Sequence, residues 1–356
     1  MREPSLETKV AALRDGRRYP DPVDEVRAIE THMSWVFIAG DHAYKLKKPV
    51  RKDRLDFRSL SARHFYCLEE LRLNRRLAPD VYIDVVPLCE DAGGGLRLGQ
   101  HGRDRVVDWL VKMKALPAQK MLDAALHDRT ATQDQMKAIA RCLADFHTTC
   151  GVAPFGAAAY RALLRREIDE CERELSIPRW HLAAGTVQAL CRAQRHFVER
   201  NAALLDVRLA AGRVVEAHGD LRPEHVYLGE PPAIIDALEF SAELRMQDAI
   251  DEVGFLALEC ERLGAPVLGE TLIGSYLGFS GDAVPRALIE FHQSCRAMSR
   301  ARLAIAHLHE EKYRDSPKWR RRAQQYLDLA AGHMAACKRN IAMQRESKQP
   351  RKREVA

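Results

Sequence analysis

The 356-residue sequence has nine cysteines but no Cys-x-x-Cys pair. That excludes a zinc ribbon or a disulfide framework as the organising principle and fits a reducing cytosol. It has no apolar run near the roughly 18 residues that cross a bilayer. Its opening, MREPSLETKVAALRDG, lacks the apolar stretch of a secretory signal. A soluble, cytoplasmic protein without a membrane partner is therefore expected. A strong excess of one charge is also missing: Lys+Arg 56 against Asp+Glu 50 leave +6. Such a mixed surface favours anionic ligands weakly, and a nucleic-acid partner, through the basic C-terminal tail, is the poorer reading. No internal repeat is visible. What is present is 46% hydrophobic residues, enough for a sizeable core, over a length that suits two domains or one two-lobed unit.

Residues 1–20 read as a short amphipathic helix closed by Pro20 and Pro22. SWVFIAG (34–40) and HAYKLKKPV (42–50) read as two strands, with Gly40-Asp41 as the turn of a hairpin. A helix is expected over 58–77, where Leu60, Phe65, Leu68, Leu71 and Leu77 recur at three- to four-residue spacing. Strands follow at 81–88 and 105–116. Beyond Pro117 the pattern becomes helical, apart from short apolar runs in 214–240, and it ends in two candidate helices at 285–311 and 316–340. The expected organisation is α+β: an N-terminal lobe, 1–113, built on a small antiparallel sheet; a mainly helical lobe, 114–340; and a basic, disordered tail, 341–356.

The segment VVEAHGDLRPEHVYLGEPPAIIDALEF (214–240) carries two acids on loops beside short apolar runs. His218, Asp220 and His225 follow the His-x-Asp-x-x-x-x-Asn spacing of a kinase catalytic loop, with histidine in place of the asparagine. Asp220 is placed to orient a hydroxyl and take its proton. Asp236, after the run Ala233-Ile234-Ile235, is a hard oxygen donor suited to Mg²⁺. His218 is expected to buttress the loop. HGD alone is commonly only a turn; the second acid and a lysine motif set this one apart. That motif is His42-Ala43-Tyr44-Lys45, a strand with a small residue two before a lysine on the same face. Lys45 can reach phosphates there, with Lys47 as the alternative, although lysines also decorate ordinary edge strands. Glu70 on the following helix is the expected partner of the lysine, with Glu69 as the fallback.

Together the runs THMSWVFIAGDHAYKLKKPV, CLEELRLNRRLAPDVYIDVVPL and HGDLRPEHVYL…IIDALEF…ELRMQDAIDEVGFL resemble the aminoglycoside phosphotransferase-like kinase family of the protein kinase-like superfamily. More narrowly, they resemble bacterial proteins in which such a domain is often joined to a P-loop ATP-binding domain. The resemblance spans roughly residues 25–310. It implies a two-lobed protein kinase-like fold with ATP or GTP between the lobes, and transfer of the γ-phosphate to a hydroxyl of a small-molecule acceptor. It implies Lys45 and Glu70 as the nucleotide-gripping pair, Asp220 as the catalytic acid, and His225 and Asp236 as metal positions. The stretch LVKMKAL (110–116) would contact the adenine. Asp248 and Glu252 match acids that hold the catalytic loop.

Three features depart from that pattern. No GxGxxG precedes the strand pair, so the Ser34–Asp41 hairpin is expected to stand in for part of the phosphate cradle. His225 replaces an amide, which suits Mn²⁺ better than Mg²⁺. No GxxxxGK[ST] occurs in the chain, so a P-loop partner would be a separate protein. A catalytically impaired, nucleotide-binding pseudokinase or interaction protein is the alternative. For the acceptor, Arg296 and Arg300, four apart on one helix, suit an anion; Glu239 and Glu243 suit a cation.

Overall fold

The computed structural model describes residues 3–52, 55–99, 104–314 and 316–348. Its elements begin with α1 (Leu6–Leu13), β1 (Val26–Glu30), β2 (Ser34–Ala39), β3 (His42–Lys47), β4 (Arg51–Lys52), β5 (Leu55–Asp56), α2 (Leu60–Asn74), β6 (Tyr82–Glu90), β7 (Leu96–Leu98) and β8 (Arg105–Lys114). Then come α3 (Leu122–His127), α4 (Gln133–Thr149), α5 (Ala157–Leu175), α6 (Ala184–Arg200), α7 (Ala202–Ala210), β9 (Val214–Glu216), β10 (Val226–Tyr227), β11 (Ala233–Ile234), α8 (Ala242–Arg245), β12 (Met246–Asp248), α9 (Ala249–Arg262), α10 (Pro266–Ser280), α11 (Arg286–Ala306) and α12 (Pro317–Lys348).

Two compact units result: Met1–Ala125 with His218–Asp220 and Glu224–Arg245, and Leu126–Ala217 with Leu221–Pro223 and Met246–Ala356. The first is built on an antiparallel sheet of order β1-β2-β3-β8-β6-β7. Alternation along the strands assigns its faces. Phe37, Tyr44, Leu46, Leu88 and Leu110 pack with Val10 and Leu13 of α1. Ala43, Val85, Val111 and Met113 pack with Cys67 and Leu71 of α2 on the other face. Ser59 caps α2 by accepting from the Ala62 amide. Lys45 lies between Val36 and Val111 in register. It is therefore on a central strand, and the edge-strand explanation for it falls away.

This unit also takes in residues that the sequence suggested for the helical lobe. Their backbone groups find partners here: the Ile234 amide donates to Leu77 O, the Leu228 amide to Lys120 O, and Tyr227 bridges to Met121. The second unit is helical. Val187 and Phe197 of α6, Phe255 of α9, Phe291 of α11 and Tyr326 of α12 share its core, with the Phe197 and Phe291 rings stacked at 4.2 Å. Residues 341–348 of the expected disordered tail continue α12. They are good helix formers with no Gly or Pro among them. Residues 349–356 of that tail lie outside the described residues.

Candidate active site

Period-two alternation on β3 puts Lys45 and Lys47 on the face covered by α2, and Glu70 of that helix meets both. Lys45 Nζ lies 2.9 Å from Glu70 Oε1 and donates to Asp236 Oδ1 at 2.5 Å. Lys47 Nζ donates to Glu70 Oε2 at 2.6 Å and to the Glu239 carboxylate. Its ammonium also sits 5.1 Å from the Phe57 ring centre, a cation–π arrangement. Glu70 is wholly buried, while the fallback Glu69 pairs on the outer side with Arg72 at 2.9 Å. Burial penalises all these charges, and the opposite charges outweigh it. Glu70 is held below the usual carboxylate range by Lys45 and Lys47. Lys45 is held well above the usual lysine range by Asp236 and Glu70. Asp236 is pushed far down chiefly by Lys45.

The Asp236 loop is tied at successive residues. Tyr82 Oη accepts from the Asp236 amide at 3.1 Å, Asn74 Oδ1 from the Ala237 amide at 2.8 Å, and His218 O from the Leu238 amide at 2.9 Å. Asp236 itself has φ 64°, a left-handed conformation that aspartate tolerates better than most residues and that clusters at functional sites. The Asp220 loop is held by imidazoles. His218 Nε2 donates to Ile235 O at 2.8 Å, so its Nδ1 is the acceptor for the Asp220 amide at 3.3 Å. His225 Nδ1 donates to Asp220 O at 2.8 Å. Between them, Gly219 has φ 91°, and a Cβ there would lie 3.0 Å from Leu238 Cβ; only glycine turns the chain without strain.

With Nδ1 of His225 committed as a donor, a neutral ring presents an Nε2 lone pair toward Asp236 Oδ2, 3.5 Å away. Two electron-pair donors that face each other at this separation suit a shared cation. One imidazole nitrogen and one carboxylate fit a divalent ion, with the nitrogen favouring Mn²⁺ over Mg²⁺. His218, Asp220, His225, Lys45, Glu70 and Asp236 all belong to the sheet-bearing unit.

Other expectations fare differently. The turn before the lysine hairpin is Thr31–Met33, between β1 and β2, closed by hydrogen bonds from Thr31 to Ser34. The Ser34–Asp41 hairpin is β2 and its turn into β3, so it does not stand in the position of a glycine-rich loop. β1 escaped notice because two of the five residues of VRAIE are charged and three are exposed. In the expected adenine-contacting stretch, the Lys114 and Ala115 amides already donate to Val81 O and Asp41 O. Glu239 is occupied by Lys47, which removes it from the acceptor candidates. Arg296 forms a two-point pair with Asp251 at 2.8 Å, and Arg300 lies over Phe255 and Tyr326. Asp248 is buried against Arg208 and caps α9; Glu252 is buried between His147 and Gln247. Both are structural, through helix packing. Lys47's pairing, Asn74 and Tyr82 were missed. Only Lys47 had a signal, its two-residue spacing from Lys45.

No family model matches the sequence. Uncharacterized proteins of Mycobacterium tuberculosis and Mycobacterium bovis are 31% identical over 330 residues, 88% of this chain and 60% of theirs. The chain thus spans about three-fifths of the length of these relatives. A choline/ethanolamine kinase family protein from Mesorhizobium loti superposes with a TM-score of 0.52 at 19% identity, covering 94% of this chain and 95% of that one. The choline kinase LicA from Streptococcus pneumoniae superposes with a TM-score of 0.53 at 16% identity, covering 92% and 98%. LicA in complex with AMP gives 0.52 at 15% identity, covering 93% and 100%. This chain has the protein kinase-like fold. No helix among the described residues is long and apolar enough to cross a membrane. Identity this low shows the fold alone, so the chemistry must be argued from the residues of the site.

Proposed function

We propose that this protein is a phosphotransferase that moves the γ-phosphoryl group of ATP or GTP to a hydroxyl of a small molecule. The observation that carries this reading is Lys45 Nζ lying 2.9 Å from Glu70 and 2.5 Å from Asp236, beside an Asp220 loop held by His218 and His225. Lys45, oriented by Glu70, grips phosphate oxygens. Asp220 orients the acceptor hydroxyl in line with the γ-phosphorus and receives its proton as the new P–O bond forms and the bond to the leaving diphosphate breaks. Asp236 and His225 would hold the divalent ion, which when bound offsets the charge of the triphosphate. The choline kinases of similar fold, one of them solved with AMP, support a nucleotide site and a small alcohol as acceptor.

The test is a screen of hydroxyl-bearing metabolites and antibiotics for ATP or GTP consumption with Mg²⁺ and with Mn²⁺. Asp220→Asn should lower turnover by about 10²–10⁴-fold, the usual range for a general base, while nucleotide affinity stays near the parent value. Unchanged phosphate transfer would remove Asp220 from this role. A second reading, nucleotide binding without turnover, is favoured by His225 in place of an amide and by the short Thr31–Met33 turn. A nucleotide-induced thermal shift with no transfer under either metal would select it.

A further inference from the structure

We propose that Lys47 is a positioning residue, a second clasp that holds α2 and the Asp236 loop on β3 independently of nucleotide. The proposal rests on the phosphotransferase reading and deepens it. The two lysines share a face but differ in access: the Lys45 side chain is 15% exposed, that of Lys47 only 1%. Lys45 can therefore turn to a ligand, and Lys47 cannot. Two ammonium groups here face three carboxylates, Glu70, Asp236 and Glu239. When Lys45 engages phosphate and Asp236 a metal ion, their direct bond is given up. Lys47 still joins Glu70 of α2 to Glu239, three residues beyond Asp236.

The cradle around Lys47 draws on three segments: Glu70 of α2, Glu239 of the loop beyond Asp236, and the face of Phe57 between β5 and α2. A buried ion network of this kind is weak evidence for stability, because apolar side chains of similar volume would often serve as well. What it adds is a fixed register. The loop is pinned by Asn74 at Ala237, by His218 at Leu238 and by Lys47 at Glu239, so the Asp236 carboxylate is presented the same way with or without ligand.

The experiment compares the parent chain with Glu239→Gln and with the double variant Lys47→Met/Glu239→Gln, which removes both charges together. Backbone hydrogen exchange over residues 235–240 and over α2 is followed without nucleotide, with β1 and β2 as internal controls. Affinities for ATP and GTP are measured with and without Mg²⁺. Exchange over 235–240 should quicken at least tenfold in the double variant while β1 and β2 stay at parent rates. The gain in nucleotide affinity from Mg²⁺ should fall at least tenfold, while metal-free affinity changes less than threefold. A folded double variant with parental exchange and a parental Mg²⁺ effect overturns the proposal. A parent chain that binds neither nucleotide overturns the phosphotransferase reading instead; the clasp is then decided by exchange alone, faster supporting it and unchanged refuting it. If the double variant does not fold, Glu239→Gln, which keeps the Lys47–Glu70 pair, is read by the same exchange criterion.

Discussion

The site of the sheet-bearing unit places two lysines, Lys45 and Lys47, that each face two carboxylates, whereas in the helical unit Arg208 and Arg296 hold fixed two-point partners. Lys45 and Lys47 share Glu70 and reach Asp236 and Glu239 respectively. Arg208 forks onto Asp248 with two bonds of 2.6 and 2.8 Å and adds Asp282 at 2.6 Å, tying α7 to the cap of α9. The difference follows from the side chains. A guanidinium is a rigid planar fork that fixes geometry; an ammonium is a point charge on a flexible stem that can exchange one oxygen for another. The first suits a scaffold. The second suits a place where a carboxylate partner is to be traded for phosphate.

The contrast is tested most severely at Arg208. Arg208→Ala leaves Asp248 and Asp282 buried without their cation and should cost about 3–5 kcal/mol of stability, read from denaturant unfolding of the whole chain. A loss below about 1 kcal/mol would break the comparison. Next is His333 of α12, whose Nδ1 meets Glu290 of α11 at 2.6 Å and whose Nε2 meets Glu261 of α9 at 3.0 Å; Arg286 also pairs with Glu290. Burial opposes the charged ring, and the two carboxylates outweigh it, raising the pKa from 6.5 to about 9. The charged form is the folded partner, so the contribution is complete below pH 6.5 and is lost as pH rises through 9. It amounts to about 3 kcal/mol at most. His333→Gln should flatten the fall in melting temperature across that window; an unchanged pH profile would refute the assignment.

A smaller effect is expected at Gly219, where Gly219→Ala forces an L side chain into φ 91° against Leu238 and should cost about 1–3 kcal/mol. Solution of the variant structure should show the Asp220 loop displaced; an unmoved loop at parental stability would mean the turn is not constrained. The smallest effect belongs to Phe65. It is 57% exposed, so Phe65→Ser should alter stability by no more than about 0.5 kcal/mol. A loss of several kcal/mol would restore Phe65 to the core.

Phe65 also shows where periodicity misled. The helix at 60–74 was legible, but Phe65 and Leu68 face outward, while Arg63, Cys67, Glu70 and Asn74 line the buried face with Leu71. Hydrophobic spacing locates a helix whose buried face is apolar; here that face is partly ionic, and Arg63 is satisfied by Asp108 at 2.7 Å. The hairpin of β2 and β3 was legible because its turn and alternation are local. β1 was not, because an edge strand with exposed charges looks like a loop in sequence.

Local chemistry therefore determined the β3 hairpin, the existence of α2, the short-strand segment with Asp220 and Asp236, and the candidacy of Lys45 and Glu70. Each depends on spacing along a few residues, which sequence records directly. Tertiary structure alone decided that Lys47 would share Glu70 and take Glu239, that Asn74 and Tyr82 would pin the Asp236 loop, and that Asp248 and Arg296 would be spent on helix packing. Those outcomes depend on which charges are buried together from distant parts of the chain, and in a buried place a charge takes whatever partner the packing brings within reach.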